Sequence, residues 1–282
     1  MIIEKIKKLV IALILLNYCT NAQSDILILV HGWSANANTW VQSGVVNSLA
    51  ANGWHNAGIV ISTANYQVKY LPEYGSNAQN KVYRAHLPAG APLTIQASHL
   101  LAEINYIHHL YPAENINIAG HSAGGIVSRL AILQKNNLPI TSLITIASPN
   151  LGTHRATEAL NLIYEKPVFC PGPGLEFVKS MIGGNDYNQI KHTQDALFDL
   201  QPENNTNLLG WLNRQTYPNI KYHSIIRNRP GYSGDELVPA FSQDLNQIIS
   251  LQGRARIYFT KTGHSLNPLD GKLLASILNT QT

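Results

Sequence analysis

The feature that most constrains the fold of this chain is a glycine-rich turn, Gly120-His121-Ser122-Ala123-Gly124-Gly125, between two apolar segments. Residues 114–119 before the turn alternate as a β-strand does, and residues 126–134 after it have the pattern of an apolar helix. A serine at such a strand-to-helix turn has a strained backbone and an exposed hydroxyl at the carboxyl edge of the sheet. No lysine follows the glycines, so the turn does not match a phosphate-binding loop.

The rest of the chain continues the alternation of strands and helices. Strands are predicted at 25–30, 58–62, 143–147, 220–226 and 255–260, and helices at 38–51, 92–110, 194–200, 208–214 and 269–278. Residues 65–92 have the composition of a loop. This order predicts an α/β fold, in which a mostly parallel central sheet carries helices on both faces. The pattern breaks between about 150 and 218, and we interpret this stretch as an inserted cap or lid.

The N-terminus has the three parts of an export signal. Lys5, Lys7 and Lys8 precede an apolar run at 9–16, and Thr20-Asn21-Ala22 offers a cleavage site with small residues. The prediction is a cleaved signal peptide at 1–22 and a single domain at 23–282, exported to a periplasm or secreted. An uncleaved membrane anchor and a lipid attached at Cys19 are the alternatives.

Composition excludes several classes of protein. Charged residues make up 13% of the chain, against about a quarter in a typical soluble protein, and the formal net charge is +4. So small a charge gives no reason to expect nucleic acid binding. The chain has 2 cysteines, which exclude a disulfide framework, and no Cys/His spacing typical of a metal site. We therefore predict no metal and no cofactor, although Ca²⁺ held by carboxylates and carbonyls stays possible from sequence.

A serine hydroxyl needs a base to take its proton, and the base needs an acid to orient it. His264 follows the last predicted strand in Thr262-Gly263-His264-Ser265, where a side chain can reach the sheet edge. Asp235 follows the preceding strand, and its loop continues into an apolar Leu-Val-Pro that can anchor it. The prediction is a triad of Ser122, Asp235 and His264. Glu236 is the alternative acid.

Two main-chain N–H groups are predicted to form an oxyanion hole. One belongs to Ala123, directly after the serine, and the other to Trp33, which follows His31-Gly32 at the end of the first strong strand. Gly32 permits the close approach of the main chain, and we interpret His31 as a support for this loop.

With these pieces in place, the sequence resembles the triacylglycerol lipases and carboxylesterases of the α/β-hydrolase superfamily, over nearly all of the mature chain. The motifs that carry the resemblance are residues 28–32, 120–125, 147–153, 235–239 and 263–264. In the 147–153 segment, Ala-Ser-Pro-Asn-Leu-Gly-Thr, Asn150 stands where such lipases commonly have histidine. The acid loop reads Asp-Glu-Leu-Val-Pro where the family usually has Asp-Gly-x-Val-Pro.

The resemblance implies hydrolysis of carboxylic esters of lipids through an acyl-serine intermediate, often under a mobile lid. Apolar residues of the predicted cap are candidates for substrate contact or for the lid: Phe169, Leu175, Phe177 and Met181. The expected partners are a lipid ester and, transiently, a membrane or lipid surface. A phospholipase, a thioesterase or a lipid acyltransferase of the same fold is the alternative, and a non-catalytic binding module is a further one.

Overall fold

The computed structural model describes residues 24–134, 138–164 and 193–280. Its strands are β1 (Asp25–Val30), β2 (Trp54–Ser62), β3 (Val68–Pro72), β4 (Asn80–His86), β5 (Asn115–His121), β6 (Ile140–Ile146), β7 (Lys221–Arg227) and β8 (Ala255–Thr260). They form one sheet in the order β3-β2-β4-β1-β5-β6-β7-β8. Every neighbouring pair is parallel except β2 and β3, which are antiparallel.

Helices connect the strands. They are α1 (Thr39–Gln42), α2 (Val45–Ala50), α3 (Leu93–Leu110), α4 (Ala123–Gln134), α5 (His154–Tyr164), α6 (Gln194–Asp199), α7 (Leu208–Asn213), α8 (Ala240–Gln243) and α9 (Pro268–Asn279). Single 3₁₀ turns lie at Tyr74–Asn77, Leu245–Gln247 and Ile249–Leu251. Among the described residues, none of these helices has both the length and the apolar character required to cross a bilayer.

The core lies on both faces of the sheet. Successive side chains of a strand point to opposite faces, and all six residues of β1 are buried. Ile26 and Ile28 pack with α3 and α4 on one face, whereas Leu27 and Leu29 pack with α2 and α9 on the other. The predicted arrangement, a mostly parallel sheet with helices on both faces, is therefore confirmed.

The register of the parallel strands brings three strand ends to one edge. Val30 at the end of β1 pairs with Gly120 in β5, and His121 at the end of β5 pairs with Ile146 in β6. The loop after β1, the turn after β5 and the loop after β6 therefore emerge side by side. The loops after β7 and β8 join them, since Asn228 donates its N–H to the carbonyl of Thr260.

The prediction of a loop at 65–92 was wrong, because this stretch contains β3, a 3₁₀ turn and β4. Hydrophobic patterning fails for β4 because Lys81 and Arg84, 6% and 2% exposed, are buried as ion pairs. Lys81 pairs with Glu114 at 3.1 Å, and Arg84 pairs with Glu73. Charges that are neutralised by acidic partners elsewhere in the chain are compatible with a buried strand, and a local pattern cannot reveal those partners.

Two further boundaries differ from the sequence prediction. The helix expected at 38–51 is two short helices, because Gly44 has a φ of +76° and separates α1 from α2. The strand expected at 58–62 begins earlier, at Trp54. The other predicted strands and helices agree with the structure to within a few residues. The signal peptide predicted at 1–22 and part of the predicted cap lie outside the described residues.

Candidate active site

Ser122 occupies a strained turn between β5 and α4. Its φ is +53°, a left-handed value that is unfavourable for a residue with a side chain. The flanking glycines are required by space, since a Cβ on Gly120 would lie 2.5 Å from the carbonyl oxygen of Gly124. A Cβ on Gly124 would lie 2.4 Å from the carbonyl oxygen of Val30. The turn therefore positions the hydroxyl at the carboxyl edge of the sheet, as predicted from the sequence.

The structure brings the three predicted triad residues together. His264 Nε2 lies 3.0 Å from Ser122 Oγ, and His264 Nδ1 lies 3.0 Å from Asp235 Oδ2. Since a carboxylate only accepts hydrogen bonds, Nδ1 carries the proton, and Nε2 is left to accept the proton of the serine hydroxyl. Asp235 and His264 are 7% and 6% exposed, so their hydrogen bond is shielded from water.

The geometry separates the roles of the two adjacent carboxylates. Asp235 Oδ1 accepts the N–H groups of Leu237 and Val238 at 2.8 and 2.7 Å, which leaves Oδ2 facing the imidazole. Glu236 instead accepts the main-chain N–H of His264 at 3.1 Å through Oε1. Glu236 thus holds the main chain of the histidine loop, whereas Asp235 is hydrogen-bonded to the ring.

The main-chain carbonyl oxygen of His264 is also hydrogen-bonded. His121 Nε2 donates to the carbonyl oxygen of His264 at 2.9 Å. Burial, together with the neighbouring His264, lowers the pKa of His121 well below its usual value, so His121 stays neutral as this donor. A fully buried ion pair joins Arg227 of β7 to Asp270 of α9, with hydrogen bonds of 2.7 and 2.9 Å. This pair anchors the segment that follows His264.

The two predicted oxyanion donors lie beside the serine. Ala123 begins α4, and Trp33 lines the same cavity as Ser122 and His264. The loop after β1 approaches so closely that a Cβ on Gly32 would be 3.0 Å from the Cβ of Ser122. Within the described part of the chain, neither N–H makes a main-chain hydrogen bond, which leaves both available to a ligand.

His31 fixes the orientation of this loop. Its Nε2 accepts the N–H of Leu87 at 3.0 Å, so its Nδ1 carries the proton and donates to the carbonyl oxygen of Gly32 at 3.0 Å. In a trans peptide the carbonyl of Gly32 and the N–H of Trp33 point in opposite directions, so holding one aims the other. Burial lowers the pKa of His31 to about 4 and keeps it neutral. These contacts support the loop role predicted for His31.

An apolar cavity adjoins the serine. Leu197 of α6, Leu200 directly after this helix and Ala156 of α5 line it, together with Leu237 and Val238 of the loop that follows Asp235. The cavity measures about 30 Å³, which is room for a single water molecule. Leu197 and Leu200 therefore limit the apolar space beside Ser122.

A more polar groove of about 320 Å³ lies next to this cavity, and Thr153, Arg155 and Leu237 border both. Its other lining residues include Glu158, Tyr232, Ser233 and Glu236. An apolar cavity beside Ser122 and a more polar groove thus share one border.

The sequence prediction did not single out Leu197, Leu200, Gln243 or Arg227. Each belongs to an ordinary helix or strand pattern, and only the chain path places it near the triad. The substrate or lid candidates Phe169, Leu175, Phe177 and Met181 lie outside the described residues. Asp195 and Asp199 lie in α6, as expected, and Asp199 accepts the N–H of Leu93 at the start of α3 at 2.7 Å.

Solved structures share this fold. The lipase BlEst2 of Bacillus licheniformis in its mature form superposes with a TM-score of 0.60 and 16% identity, over 92% of each chain. The esterase EaEST of Exiguobacterium antarcticum gives 0.52 and 16%, also over 92% of each chain. These identities are too low to transfer an activity, but they define the class of the fold, which is that of the α/β-hydrolases.

The chain belongs to the family of PGAP1-like alpha/beta domains, whose model matches residues 23–166. A stretch of 69 residues is 42% identical to a protein of Yarrowia lipolytica (strain CLIB 122 / E 150) named "Putative GPI inositol-deacylase C". That stretch covers 22% of this chain and 8% of the relative.

Proposed function

We propose that the protein is an exported serine hydrolase that cleaves carboxylic esters of lipids through an acyl-serine intermediate. One observation carries the proposal: Ser122, His264 and Asp235 form a continuous hydrogen-bonded chain, with both links at 3.0 Å, beside an apolar cavity. The hydrolases and esterases that share the fold, and the family membership, support a hydrolase in general. The ester substrate and the residue roles are our proposal.

In the proposed first step, His264 Nε2 takes the proton of Ser122 as its Oγ attacks the ester carbonyl carbon. The carbonyl oxygen becomes negative and accepts the N–H groups of Trp33 and Ala123. Asp235 holds the imidazole in the required tautomer and stabilises the imidazolium. His264 then gives its proton to the leaving alcohol, and the acyl group remains on Ser122.

In the second step, His264 removes a proton from water, which attacks the acyl carbon and releases the fatty acid. The proton passes back to Ser122. The chain's own base, acid and N–H donors suffice for every proton transfer, so we propose a reaction that needs no cofactor. Removal of Ca²⁺ with a chelator tests this part, and we expect activity to be unchanged.

The cavity favours an apolar acyl group, and we propose a transient contact with a lipid surface during catalysis and no nucleic acid partner. The predicted signal at residues 1–22 supports export to a periplasm or the medium. N-terminal sequencing of the protein recovered from each compartment tests it, and a chain that starts at Met1 in the cytoplasm would contradict export.

The deciding experiment is a panel of p-nitrophenyl esters of increasing acyl length, with Ser122→Ala as the control. We expect turnover that Ser122→Ala abolishes. Folded protein that turns over no ester of any length would instead favour the non-catalytic binding module. Thioesters, phospholipids and added alcohol acceptors, assayed in parallel, separate the thioesterase, phospholipase and acyltransferase alternatives.

The polar groove favours a second candidate, an ester whose alcohol carries several hydroxyl groups. Carboxylate, hydroxyl and aromatic side chains such as Glu158, Ser233 and Tyr232 line it and suit a polyol. The Yarrowia protein is named for deacylation of an inositol, which is such an alcohol. With equal acyl chains, an acyl-inositol should then be hydrolysed with a lower KM than a plain alkyl ester.

A further inference from the structure

Gln243 is a buried amide behind the triad that the proposed mechanism does not yet use. It ends the short helix α8 and is 1% exposed. A buried amide must be hydrogen-bonded at both of its ends to be tolerated. The partners of Gln243 therefore show what it does.

Both ends of the amide have fixed partners. Its Oε1 accepts the N–H of Arg227, the last residue of β7, at 2.7 Å. Its Nε2 donates to the carbonyl oxygen of Val238 at 2.8 Å and to Asp235 Oδ2 at 3.2 Å. Because Oε1 faces an N–H group, the amide has a single favourable orientation, with its donor directed at the acid.

Asp235 Oδ2 is the atom that also contacts His264 Nδ1. The other oxygen is occupied by the N–H groups of Leu237 and Val238. The amide of Gln243 thus provides the one side-chain donor, among the described residues, that shares Oδ2 with the imidazole. Without it, Oδ2 is held only by the imidazole that the carboxylate has to orient.

The main chain of Gln243 is tied to the nucleophile helix. Asn150, which is fully buried, donates its Nδ2 to the carbonyl oxygen of Gln243 at 3.0 Å. Its Oδ1 accepts from Arg129 of α4 at 3.3 Å, and Arg129 is fully buried as well. The asparagine that stands where related lipases commonly have histidine therefore belongs to a polar network that joins α4 to the acid loop.

We propose that Gln243 is a positioning residue of the triad, which fixes the Asp235 carboxylate against His264. The proposal rests on the proposed function. The demand on Asp235 is greatest when His264 is an imidazolium, so the contribution of Gln243 is expressed in kcat and leaves KM nearly unchanged.

The test compares Gln243→Met, which keeps the length but loses all three side-chain hydrogen bonds, with Gln243→Glu, which places a second carboxylate beside Asp235. Loss of a hydrogen bond to a charged group predicts a fall in kcat of about 10- to 100-fold for Gln243→Met. Gln243→Glu should lose more and move the acid limb of the pH–rate profile to higher pH, since an added negative charge favours the imidazolium. The matched control is Gln247→Glu at an exposed site on the following 3₁₀ turn, with kcat unchanged.

A readout without turnover separates this proposal from the function it rests on. In wild-type protein the His264 Nδ1 proton should give a downfield NMR resonance, which should shift or broaden in Gln243→Met and stay in place in Gln247→Glu. A shifted resonance with no ester turnover in the wild type would overturn the function and keep the positioning role. Folded Gln243→Met with wild-type kcat and an unmoved resonance would overturn the positioning role.

Discussion

Glu236 accepts the main-chain N–H of His264 at 3.1 Å, although it directly follows Asp235 in the chain. The carboxylate that contacts the imidazole is that of Asp235, at 3.0 Å. Two adjacent acids thus serve the same histidine in different ways, one through its ring and one through its backbone. The sequence left this choice open, and the difference leads directly to an experiment.

Asp235→Asn should lower kcat by about 10⁴-fold, because an amide can donate to Nδ1 and so favour the wrong tautomer of His264. Glu236→Gln keeps an acceptor for the His264 N–H and should lower kcat less than tenfold. Steady-state kinetics on one p-nitrophenyl ester checks both. A larger loss in Glu236→Gln than in Asp235→Asn would assign the acid role to Glu236.

Ser122→Ala and His264→Ala should each reduce kcat by several orders of magnitude, and the double variant should lose no more than either alone. The two residues act in one step, so removing the second takes away nothing further. Single-turnover assays on the three variants, with circular dichroism to confirm folding, give the comparison. Multiplicative losses in the double variant would show that the two groups act independently.

The contribution of His31 to the stability of the protein should fall as the pH falls from about 6.5 to about 4. The pKa of His31 is lowered to about 4 by burial, so between these values the unfolded chain binds a proton that the folded chain does not. Each such proton changes the free energy of unfolding by about 1.4 kcal/mol per pH unit. His223, whose burial also lowers its pKa to about 4, adds to the slope.

Urea denaturation at a series of pH values measures this slope. The free energy of unfolding of His31→Gln should change less steeply with pH than that of wild type, by the equivalent of about one proton. The control His55→Gln, at an exposed site, should give a curve parallel to wild type. If His31→Gln and wild type gave parallel curves, His31 would not be a buried neutral group.

Arg227→Met should lower the free energy of unfolding by about 3–5 kcal/mol, because it leaves the Asp270 carboxylate buried without its partner. The exposed pair of Arg155 and Glu158 is the control, and Arg155→Met should change stability by less than about 1 kcal/mol. Chemical denaturation at pH 7 compares the two. Equal losses would show that the burial of the Arg227 pair has no energetic consequence.

Leu200→Ala should shift the preference toward longer acyl chains, since Leu200 walls the narrow cavity beside Ser122. Space for additional methylene groups should raise the ratio of kcat/KM for long over short esters by about tenfold or more. The exposed Leu269→Ala should leave the ratio unchanged. An unchanged ratio in folded Leu200→Ala would place the acyl chain elsewhere.

The local features of this protein were readable in the residues. The turn around Ser122 needs glycines at 120 and 124 because a Cβ at either position would collide with main-chain oxygens. Continuous apolar runs such as 25–30 and 143–147 predicted buried strands, because both faces of a central parallel strand are covered. The strand β4 escaped detection because its charges are neutralised by Glu73 and Glu114, acidic residues outside the strand.

The class of fold could be predicted from the residues alone, and so could the proposed nucleophile, the proposed base and two adjacent candidates for the acid. Each of these follows from short-range chemistry: strand and helix periodicity, a turn that only glycine permits, and polar residues at strand ends. The folded chain was needed to show that Asp235 faces the imidazole, that Glu236 accepts the main-chain N–H of His264 and that Gln243 directs its amide at Asp235. Those contacts depend on the directions of side chains from separate loops, which the packing of the whole sheet determines.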